Sequence, residues 1–460
     1  MKKSIFKKRS EINAPAEEVF KWHARPGAIE RLSPPWDPLE IISQTGGIHT
    51  GAEVKMKLKA GPIPIKWHAR HVEYQENILF QDIQVKGPFS KWIHTHRFED
   101  LDRTKCILED SIEYALPFHP LGTAVMEPFV EKKLKQIFTY RHNTTIADMA
   151  AHQLRKDQGP LNILISGASG LLGSSLIPFL RTGGHHVMQL VRRPPDNEKG
   201  EIRWDPANGW IDLDDTDAID AVIHLSGENI GEGHWTREKK KRIIDSRVQS
   251  TRLIAETISQ MKNPPRVFLS ASAIGFYGDR GDILVDESDM VGNDFISDVC
   301  RMWEESTDAA VAAGIRTASL RIGIVLSPQG GALGKLLLPF TLGIGGKIST
   351  GRQYMSWISI DDTIGAIHHA LFDDKISGPV NLVSPNPVTN KEFTLRLAKV
   401  LSRPAYFTVP KFAIETVFGE MGRETILSST RVKPGVLSET EYSFRHPDLE
   451  GALRHLLGKT

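Results

Sequence analysis

The sequence at residues 161–173, LNILISGASGLLG, decides the fold of the second part of the chain. Its first six residues predict a short buried strand, and glycines follow at positions 167, 170 and 173 in the spacing GxxGxxG. An apolar segment from Leu176 to Leu180 predicts a helix directly after the glycines. A strand, a glycine-rich turn and a helix in this order are typical of the turn that binds the pyrophosphate of a dinucleotide.

Each glycine of this turn has a physical reason to be there. Together they allow the tight turn, the close approach of the backbone to a pyrophosphate, and the close packing of the helix on the strand. The helix N-terminus then presents free N–H groups and partial positive charge to the phosphates. A glycine pattern alone also occurs in structural turns, but the strand before it and the helix after it favour a cofactor site. The residues predicted to bind the cofactor are Gly167, Ser169, Gly170, Leu171, Leu172 and Gly173 in this turn, and Leu225, Ser226 and Gly227 after a later strand.

Two arginines, Arg192 and Arg193, directly follow the second predicted strand. An NAD-specific site carries Asp or Glu about 20 residues past the glycines, where it binds the ribose 2′-hydroxyl. Arginines at this place fit a 2′-phosphate, which they bind through charge-assisted hydrogen bonds. The sequence therefore favours NADP(H) over NAD(H). The alternative is a solvated arginine pair at the end of a strand.

Apolar strands and helical segments alternate from residue 161 onward. The predicted strands are 162–166, 186–191, 221–225, 266–270 and 317–326. This alternation predicts a parallel sheet that is covered by helices on both faces. We therefore expect an α/β Rossmann-like domain in the second part of the chain.

The first part, residues 1–150, has mostly strand patterns, with a helix near each end. The predicted strands are 8–13, 52–58, 65–74, 78–85, 90–98 and 106–115, and the predicted helices begin at Pro15 and span 128–149. A polar stretch that ends in Gly159 and Pro160 follows, and it indicates a linker over 151–160.

The composition is that of an ordinary globular protein and excludes several classes. The 460 residues hold 57 Lys and Arg against 56 Asp and Glu, so the net charge of +1 gives no general attraction to nucleic acid or to an anionic membrane. Two cysteines cannot build a disulfide framework. No run of about 18 apolar residues predicts a membrane span, and the basic start lacks the apolar stretch of a signal peptide. We expect a cytoplasmic multidomain protein.

Further motifs of the second part are specific for a family. They lie at residues 223–230, 235–247, 270–278, 356–362 and 409–447. With the glycine turn, they resemble the extended short-chain dehydrogenase/reductase superfamily of nucleotide-sugar epimerases and dehydratases, and more narrowly its atypical "epimerase family protein" branch. The resemblance covers nearly all of residues 161–460. It implies an NAD(P)-binding Rossmann domain over 161–405 and a short C-terminal module of unknown function over 406–460.

The resemblance also implies a catalytic set, which this chain carries only in part. The superfamily uses Ser or Thr after the fifth strand, and Tyr and Lys spaced YxxxK on the following helix. Ser272 stands at the Ser/Thr position, but Ile296 and Cys300 align with the Tyr and Lys, and no tyrosine of the chain has Lys four residues on. We predict Tyr277 as the acid/base in their place, with Ser272 orienting a substrate oxygen. The alternative for Tyr277 is a packed ring whose hydroxyl has one partner.

A glycine-rich run at residues 343–347 lies where relatives form the substrate pocket. Lys347 at its end and Arg352 shortly after it are predicted to bind an anionic group of the substrate, such as a diphosphate or a carboxylate. The alternative is a mobile surface loop.

The first part resembles the helix-grip superfamily of START-like (SRPBCC) lipid-binding and polyketide-cyclase domains, on residues 12–20, residues 87–98 and the final helix. The resemblance implies a curved antiparallel sheet that wraps a long helix around a cavity. Strand alternation places Trp92, His94, His96 and Phe98 on one face, which suggests an amphipathic cavity. No metal site is predicted, because His68 and His71 point to opposite faces and no Cys/His ligand spacing is present. The alternative to a cavity lining is that these histidines are ordinary polar positions of the sheet.

These observations predict an α/β Rossmann-like parallel sheet domain plus an N-terminal α+β helix-grip domain. The predicted function is an NADP(H)-binding epimerase- or reductase-like oxidoreductase that lacks YxxxK. Its substrate is a small organic or nucleotide-sugar-like molecule, and the N-terminal domain takes a hydrophobic ligand. The alternative is a protein that binds or senses NADP(H) with reduced catalysis, for which the resemblance carries an association with cell division. The oligomeric state stays open.

Overall fold

A computed structural model describes residues 4–60, 63–117, 121–213 and 218–459. Within these ranges the chain forms one large antiparallel sheet, one large and mostly parallel sheet, and four two-stranded sheets. The two large sheets lie in the first and second parts of the chain, as the strand patterns predict.

The first sheet is antiparallel and has seven strands in the order β1-β7-β6-β5-β4-β3-β2. Its strands are β1 (Ser4–Ile12), β2 (Glu40–Thr45), β3 (Glu53–Ala60), β4 (Ile63–Gln75), β5 (Leu79–Lys86), β6 (Lys91–Asp100) and β7 (Cys106–Ala115), and its helices are α1 (Ala16–Ala24), α2 (Ala28–Arg31) and α3 (Leu121–Gln153). The long helix α3 packs against this sheet, and the predicted helix-grip fold is confirmed.

Side-chain alternation explains which face of the sheet is covered. Every second residue of β7 is buried, beginning with Cys106 and Leu108, and the intervening residues are half-exposed. β2 was not predicted, because its residues are almost all exposed and give no hydrophobic alternation. The apolar spacing also predicted α3 only from Pro128 onward, whereas the helix begins at Leu121 and contains that proline.

The second part contains the remaining elements. Its strands are β8 (Asn162–Ser166), β9 (His186–Val191), β10 (Glu201–Asp205), β11 (Trp210–Ile211), β12 (Ala221–His224), β13 (Val267–Ala273), β14 (Leu284–Val285), β15 (Arg316–Ile322), β16 (Ile324–Leu326), β17 (Gly346–Ile348), β18 (Tyr354–Met355), β19 (Trp357–Ser359), β20 (Gly378–Leu382), β21 (Val388–Thr389), β22 (Phe407–Val409) and β23 (Arg431–Val432). Its helices are α4 (Leu171–Thr182), α5 (Arg237–Ser259), α6 (Phe295–Glu305), α7 (Asp308–Ala312), α8 (Gly331–Thr341), α9 (Ile360–Phe372), α10 (Asn390–Leu401), α11 (Lys411–Met421), α12 (Gly435–Glu439) and α13 (Leu449–Leu457).

The second sheet has the strand order β11-β10-β9-β8-β12-β13-β15-β20, and all its pairs are parallel except β10 with β11. The Rossmann-like fold is confirmed. The single strand predicted over 317–326 is wrong, because the chain leaves the sheet at Gly323 and continues as β16, which pairs with β19. A Cβ atom on Gly323 would lie 2.7 Å from the Ser356 carbonyl oxygen. The chain therefore passes close to the Ser356 backbone at this point, and only glycine leaves enough space.

The order of the strands reverses direction at β8, since β9 and β12 lie on its two sides. In open α/β sheets a ligand crevice forms at the carboxyl ends of the strands where the order reverses. The ends of β8 and β12 therefore mark the expected crevice.

The C-terminal residues are joined to loops of the Rossmann sheet. β22 pairs with β17, and β23 pairs with β14. The carboxylate of Glu287 also accepts hydrogen bonds from the backbone N–H groups of Gly435 and Val436 at the start of α12. The tail is thus packed on the same side as the loops that follow β13.

A buried group of charges, here called the ionic network, connects three parts of the chain. Asp148 of α3 accepts two hydrogen bonds from Arg31, at 2.7 and 2.9 Å, and one from Arg445 at 2.9 Å. Asp361, at the start of α9, lies 3.3 Å from Arg31 and accepts a hydrogen bond from His455 at 3.1 Å. Two carboxylates and two guanidiniums therefore neutralise one another where the first part, the Rossmann sheet and the tail meet.

A short segment of the first part also lies directly on α4. A Cβ atom built on Gly27, whose φ is 99°, would lie 2.7 Å from the Cα atom of Pro178. Arg25 donates a hydrogen bond to the carbonyl of Thr182, at the end of the same helix, at 2.8 Å. Among the described helices, none has the length and apolarity that a membrane crossing needs.

Candidate functional site

The glycine turn joins β8 to α4. Gly167 has a φ of 77°, and a Cβ atom on it would lie 2.8 Å from the carbonyl carbon of Leu225. A Cβ atom on Gly173 would lie 2.3 Å from the Gly167 carbonyl oxygen. Both positions therefore require glycine for packing, because a side chain would push the helix off the strand.

Gly170 differs from the other two glycines, because its surroundings are less crowded. A Cβ atom there would meet only the Gly167 oxygen, at 3.3 Å. Gly170 is the N-cap of α4 and supplies no side-chain cap. The first N–H groups of α4 therefore keep their hydrogen-bonding capacity for an anion such as a pyrophosphate.

The other predicted cofactor contacts surround this turn. Ser169 is exposed at its tip, Leu171 and Leu172 are half-buried at the start of α4, and Leu225, Ser226 and Gly227 continue from β12 beside it. The loop that begins α8 approaches from the opposite side, since a Cβ on Gly330 would lie 3.5 Å from Leu171 Cδ1. The structure brings these residues together around the ends of β8 and β12.

A neutral histidine lies beneath the crevice. His224, at the end of β12, is fully buried, with Ser166 Oγ 2.5 Å from its Nδ1 atom and Ser250 Oγ 3.0 Å from its Nε2 atom. Burial lowers the pKa of His224 to about 3. This imidazole is therefore uncharged at neutral pH and joins the two strand ends by hydrogen bonds.

The two arginines after β9 have different surroundings. Arg193 forms a bidentate ion pair with Glu201, whose oxygens lie 2.7 and 2.6 Å from the guanidinium nitrogens. Arg192 is exposed, and its side chain makes no hydrogen bond or ion pair with the residues that the structure describes. Of the pair, Arg192 is the one whose guanidinium is open to a phosphate.

Ser272 and Tyr277 belong to one buried network after β13. The Ser272 hydroxyl donates to Glu304 at 2.7 Å, and Arg321 binds the same carboxylate with two hydrogen bonds of 2.9 Å. Arg321 also donates to the Tyr277 hydroxyl at 3.0 Å, and this hydroxyl donates to Asn381 at 2.7 Å. Tyr277 is 0% exposed, and burial raises its pKa to about 12. The network orders these side chains and encloses the tyrosine.

Ile296 and Cys300 face the loop that follows β13. A Cβ atom on Gly275 in that loop would lie 2.3 Å from Ile296 Cγ2 and 3.7 Å from Cys300 Sγ. Burial raises the pKa of Cys300 to about 12, so its thiol stays protonated and unreactive at neutral pH. Two uncharged side chains therefore stand where the resemblance implies Tyr and Lys.

Arg247 of α5 was missed by sequence reasoning. Its guanidinium carbon lies 4.9 Å from the centre of the Trp303 ring and 3.3 Å from where a Cβ atom on Gly227 would lie. The Arg247 charge also acts on Cys300, where it opposes the effect of burial on the thiol pKa. In the sequence Arg247 ends a run of charged residues that looks like a solvated helix face, so only the packing of α5 against α6 identifies it.

Lys347 lies on β17, and Arg352 lies in the turn that follows this strand. Lys347 is half-buried and Arg352 is exposed. Neither side chain has a hydrogen-bond or ion-pair partner within the described part of the chain. Both cations therefore keep their capacity for an anionic substrate group.

A second site lies in the first part of the chain, between the antiparallel sheet and α3. It is a cavity of about 840 Å³ with a mostly apolar and aromatic wall that includes Trp67, Phe89, Trp92 and Phe138. One end is polar and is formed by His23, His71, Asp82, His94, His96 and Arg141. The predicted alternation along β6 is observed, since His94, His96 and Phe98 are buried and Arg97 is exposed.

Asp110 of β7 organises this polar end. Its Oδ1 atom accepts from His94 at 3.0 Å and lies 2.6 Å from His96 Nδ1, and its Oδ2 atom accepts from His142 at 2.8 Å. Burial opposes a charge on His94, but hydrogen bonds to Asp110 and Asp82 raise its pKa to about 9. Burial and the His94 charge lower the pKa of His96 to about 4.

Asp110 carries a sequence signal that went unused. It lies on the inward face of β7, between Leu108 and Ile112, and it is the charged residue among the buried positions of this strand. A charged residue at such a position is rarely left unpaired, because an isolated buried charge is unfavourable. Its partners are His94 and His96 of the preceding strand β6 and His142 of α3.

The fold and the two sites define a dinucleotide-binding protein of the extended short-chain dehydrogenase/reductase class that carries a helix-grip domain at its N-terminus. Three family models match it: "NAD dependent epimerase/dehydratase family" at residues 163–382, "Polyketide cyclase / dehydrase and lipid transport" at residues 12–138, and "Domain of unknown function (DUF1731)" at residues 409–456. Epimerase family protein Mb2239 of Mycobacterium bovis is 38% identical over 291 residues, which are 63% of this chain and 96% of that protein. The chain belongs to this epimerase family.

Two solved structures extend the comparison. A structure from Corynebacterium glutamicum, described as a nucleoside-diphosphate sugar epimerase, is 34% identical with a TM-score of 0.79 and covers 98% of this chain and 90% of its own. The human epimerase family protein SDR39U1, solved with NADPH, is 31% identical with a TM-score of 0.60 and covers 65% of this chain and 100% of its own. The first structure therefore shares the N-terminal domain, and the second matches only the later part.

Proposed function

We propose that this protein is an NADP(H)-binding oxidoreductase of the epimerase or reductase type that acts on a small organic or nucleotide-sugar-like substrate. The open N-terminus of α4 at the crevice carries this proposal. Gly170 leaves room for a pyrophosphate, and the helix end directs its N–H groups toward it. The human relative that was solved with NADPH supports the same cofactor for this chain.

NADP(H) would supply hydride chemistry, and Arg192 would bind its 2′-phosphate. The guanidinium of Arg192 is exposed directly after β9, whereas Glu201 already engages Arg193. A 2′-phosphate binds an unpaired guanidinium better than one that must first leave a carboxylate. Arg192 is therefore the main determinant of the preference for NADP(H).

Ser272 and Glu304 are the groups best placed to move a proton. The Ser272 hydroxyl donates to Glu304, so its lone pairs can accept a hydrogen bond from a substrate hydroxyl. Arg321 fixes the Glu304 carboxylate with two hydrogen bonds. A proton could thus pass from substrate through Ser272 to Glu304, while Tyr277 holds Arg321 in place.

Arg247 would supply the positive charge that Lys supplies elsewhere in the superfamily. Its guanidinium lies beside Gly227 of the predicted cofactor loop and beside Cys300 at the Lys position. Arginine stays protonated under all physiological conditions. A fixed cation here would stabilise negative charge that develops on a substrate oxygen.

A second candidate function is NADP(H) sensing with reduced catalysis. The observation that favours it is the pair of uncharged residues Ile296 and Cys300, together with a Tyr277 hydroxyl that is enclosed by Arg321 and Asn381. A protein of this kind would bind the cofactor and change conformation without turnover.

Two measurements on the full-length protein separate the candidates. NADPH and NADH binding is measured by fluorescence titration, and NADPH consumption is followed with a panel of carbonyl metabolites and nucleotide sugars. The oxidoreductase proposal expects tighter binding of NADPH and turnover that falls in the Ser272→Ala variant. Tight binding without turnover across the panel supports sensing, and equal or tighter binding of NADH overturns the preference for NADP(H).

A further inference from the structure

We propose that Asp82, His94 and His96 form a binding site for a divalent transition-metal ion, with Zn²⁺ as the best match, at the polar end of the N-terminal cavity. One ligand atom from each of the three residues lies within 4.8 Å of the other two. Two imidazoles and one carboxylate are a ligand set of catalytic zinc sites, which leave the fourth position to water or substrate. The proposal is independent of the function proposed for the Rossmann domain.

Rigid strands hold the three ligands. Asp82 of β5 is directly paired with His94 of β6 in the antiparallel register. His94 Nδ1 lies 3.4 Å from Asp82 Oδ2, and the rings of His94 and His96 have their centres 4.0 Å apart. Because His96 is two residues further along β6, it shares a face with His94. The sheet therefore fixes the ligand geometry without the help of a loop.

Asp110 orients both imidazoles from behind. It accepts a hydrogen bond from His94 Nε2 and lies next to His96 Nδ1, so the ligand atoms would be His94 Nδ1, which faces Asp82, and the other ring nitrogen of His96. Metal-binding histidines almost always donate their second ring N–H to a carboxylate or carbonyl, which fixes the tautomer. His142 holds the other oxygen of Asp110 and so keeps this carboxylate in place.

Two carboxylates lie at this end of the cavity and can hold a cation between them. Asp82 and Asp110 are two carboxylates, and they face Arg141 and the ring of His94, which hydrogen-bonds to both of them. His71 also lines this end, and its buried Nδ1 atom has no hydrogen-bond partner in the part of the chain that the structure describes. A bound metal ion would take the place of the proton that the His94 ring holds toward Asp82, and it could recruit His71 as a further ligand.

The open side of the site faces the cavity of about 840 Å³. Its walls are mostly apolar and aromatic, so the molecule that fits there has an apolar body. A carbonyl, carboxylate or hydroxyl oxygen at one end of that molecule would take the free coordination position. The metal would then polarise this oxygen as a Lewis acid.

A second group of residues, Asp361, His446 and His455, also has ligand atoms within 4.8 Å of one another. There the guanidinium of Arg31, which keeps its charge at all physiological pH values, lies 3.3 Å from Asp361. His455 also donates to the same carboxylate. This group is therefore part of the ionic network and serves as an internal control for the metal experiment.

The test uses full-length protein that has been treated with a chelator and dialysed. Zn²⁺ binding is measured by competition with a chromophoric chelator, and Co²⁺ is added separately to record the ligand-field absorption of the site. We expect one bound ion per chain and a Co²⁺ spectrum of four- or five-coordinate geometry. Asp82→Asn, which preserves shape, should weaken binding by more than about tenfold, and Asp110→Asn by about 10–100-fold.

Matched controls locate the ion. His68→Ala removes a histidine of β4 that binds Glu53 outside the cavity, and His455→Ala removes a member of the ionic network. Both variants should retain the affinity and the Co²⁺ spectrum of the unmodified chain. Absence of Zn²⁺ binding overturns the proposal. Binding that Asp82→Asn leaves unchanged, or that His455→Ala alone abolishes, overturns it equally.

Discussion

Arg445, near the end of the chain, donates a hydrogen bond of 2.9 Å to Asp148 in the long helix of the first domain. The carboxylate also binds Arg31 and is completely buried. The contact joins segments that are 297 residues apart in the sequence. The tail therefore takes part in holding the N-terminal domain against the Rossmann sheet.

Loss of the Asp148 charge should destabilise the whole protein. Asp148→Asn leaves Arg31 and Arg445 buried with less compensating charge, and breaking a buried pair in this way costs about 3–5 kcal/mol. Urea unfolding followed by circular dichroism measures the effect. Glu450→Gln is the matched control, because its pairs with Lys399 and Arg454 lie at the surface, and it should leave the midpoint almost unchanged. Equal midpoints for the two variants would refute the role of the network.

The same carboxylate predicts sensitivity to acid. Burial would raise the pKa of Asp148, but the charges of Arg31 and Arg445 outweigh it and hold the pKa below the ordinary value. A depressed folded-state pKa gives stability that is complete above the unfolded value of about 3.9 and is lost as the pH falls below it. The melting temperature should therefore fall steeply below about pH 4. The Asp148→Asn variant should show a shallower decline over that range.

Alanine substitutions at two glycines of the turn should have different effects on stability and on NADPH binding. Gly173→Ala places a Cβ atom 2.3 Å from the Gly167 oxygen, so it should lower the melting temperature even without cofactor. Gly170→Ala places a Cβ atom 3.3 Å from the same oxygen, a tight contact that a small shift relieves, and it fills the place of the pyrophosphate. It should therefore weaken NADPH binding and lower the melting temperature much less than Gly173→Ala does. Calorimetric melting and fluorescence titration check the two effects. Normal NADPH affinity in Gly170→Ala would contradict the assigned site.

Arg192 and Arg193 should differ in their effect on cofactor choice. Arg192→Ala removes an exposed guanidinium and should weaken NADPH binding much more than NADH binding. Arg193→Ala should shift this preference less, because Glu201 already engages its guanidinium. The ratio of the NADPH and NADH dissociation constants is the measurement. An unchanged ratio in Arg192→Ala would rule out its contact with the 2′-phosphate.

Tyr277→Phe tests whether this tyrosine acts by chemistry or by position. The variant removes the partner of Arg321 and Asn381, and a buried polar group left without its partner costs about 1–3 kcal/mol. We expect a lower melting temperature and unchanged NADPH affinity. A loss of turnover of about 10²–10⁴-fold at normal stability would instead identify Tyr277 as the acid/base.

The architecture could be predicted from local patterns. Alternation along β6 and β7 indicated which face of the first sheet is covered. The strand before Gly167 and the helix after it indicated the Rossmann-like fold of the second part. The sequence did not predict β2 or the break at Gly323. An exposed edge strand leaves no periodic signal, and neither does a close approach between two segments of the chain. Sequence spacing therefore identifies elements that bury a face and misses those that do not.

The predicted site was less complete, because its charged groups meet only in three dimensions. Arg247 looks like one more cation of an exposed helix until α5 is packed against α6. The inward position of Asp110 on β7 indicates that its carboxylate has partners, but only the packing of β6 and α3 shows that they are His94 and His142. Pairing between distant segments decides these environments, and a single sequence does not encode such pairs in its spacing.

The segment around Gly27 is a wall of the N-terminal cavity, and it also rests on Pro178 of α4. The opposite end of that helix is the predicted phosphate-binding turn. An occupant of the cavity that displaces this segment would shift the helix and change the affinity for the dinucleotide. Thermodynamic linkage then requires the dinucleotide to change the affinity for that occupant by the same factor. The two ligands would act as reciprocal effectors through the contacts that Gly27 and Arg25 make with α4.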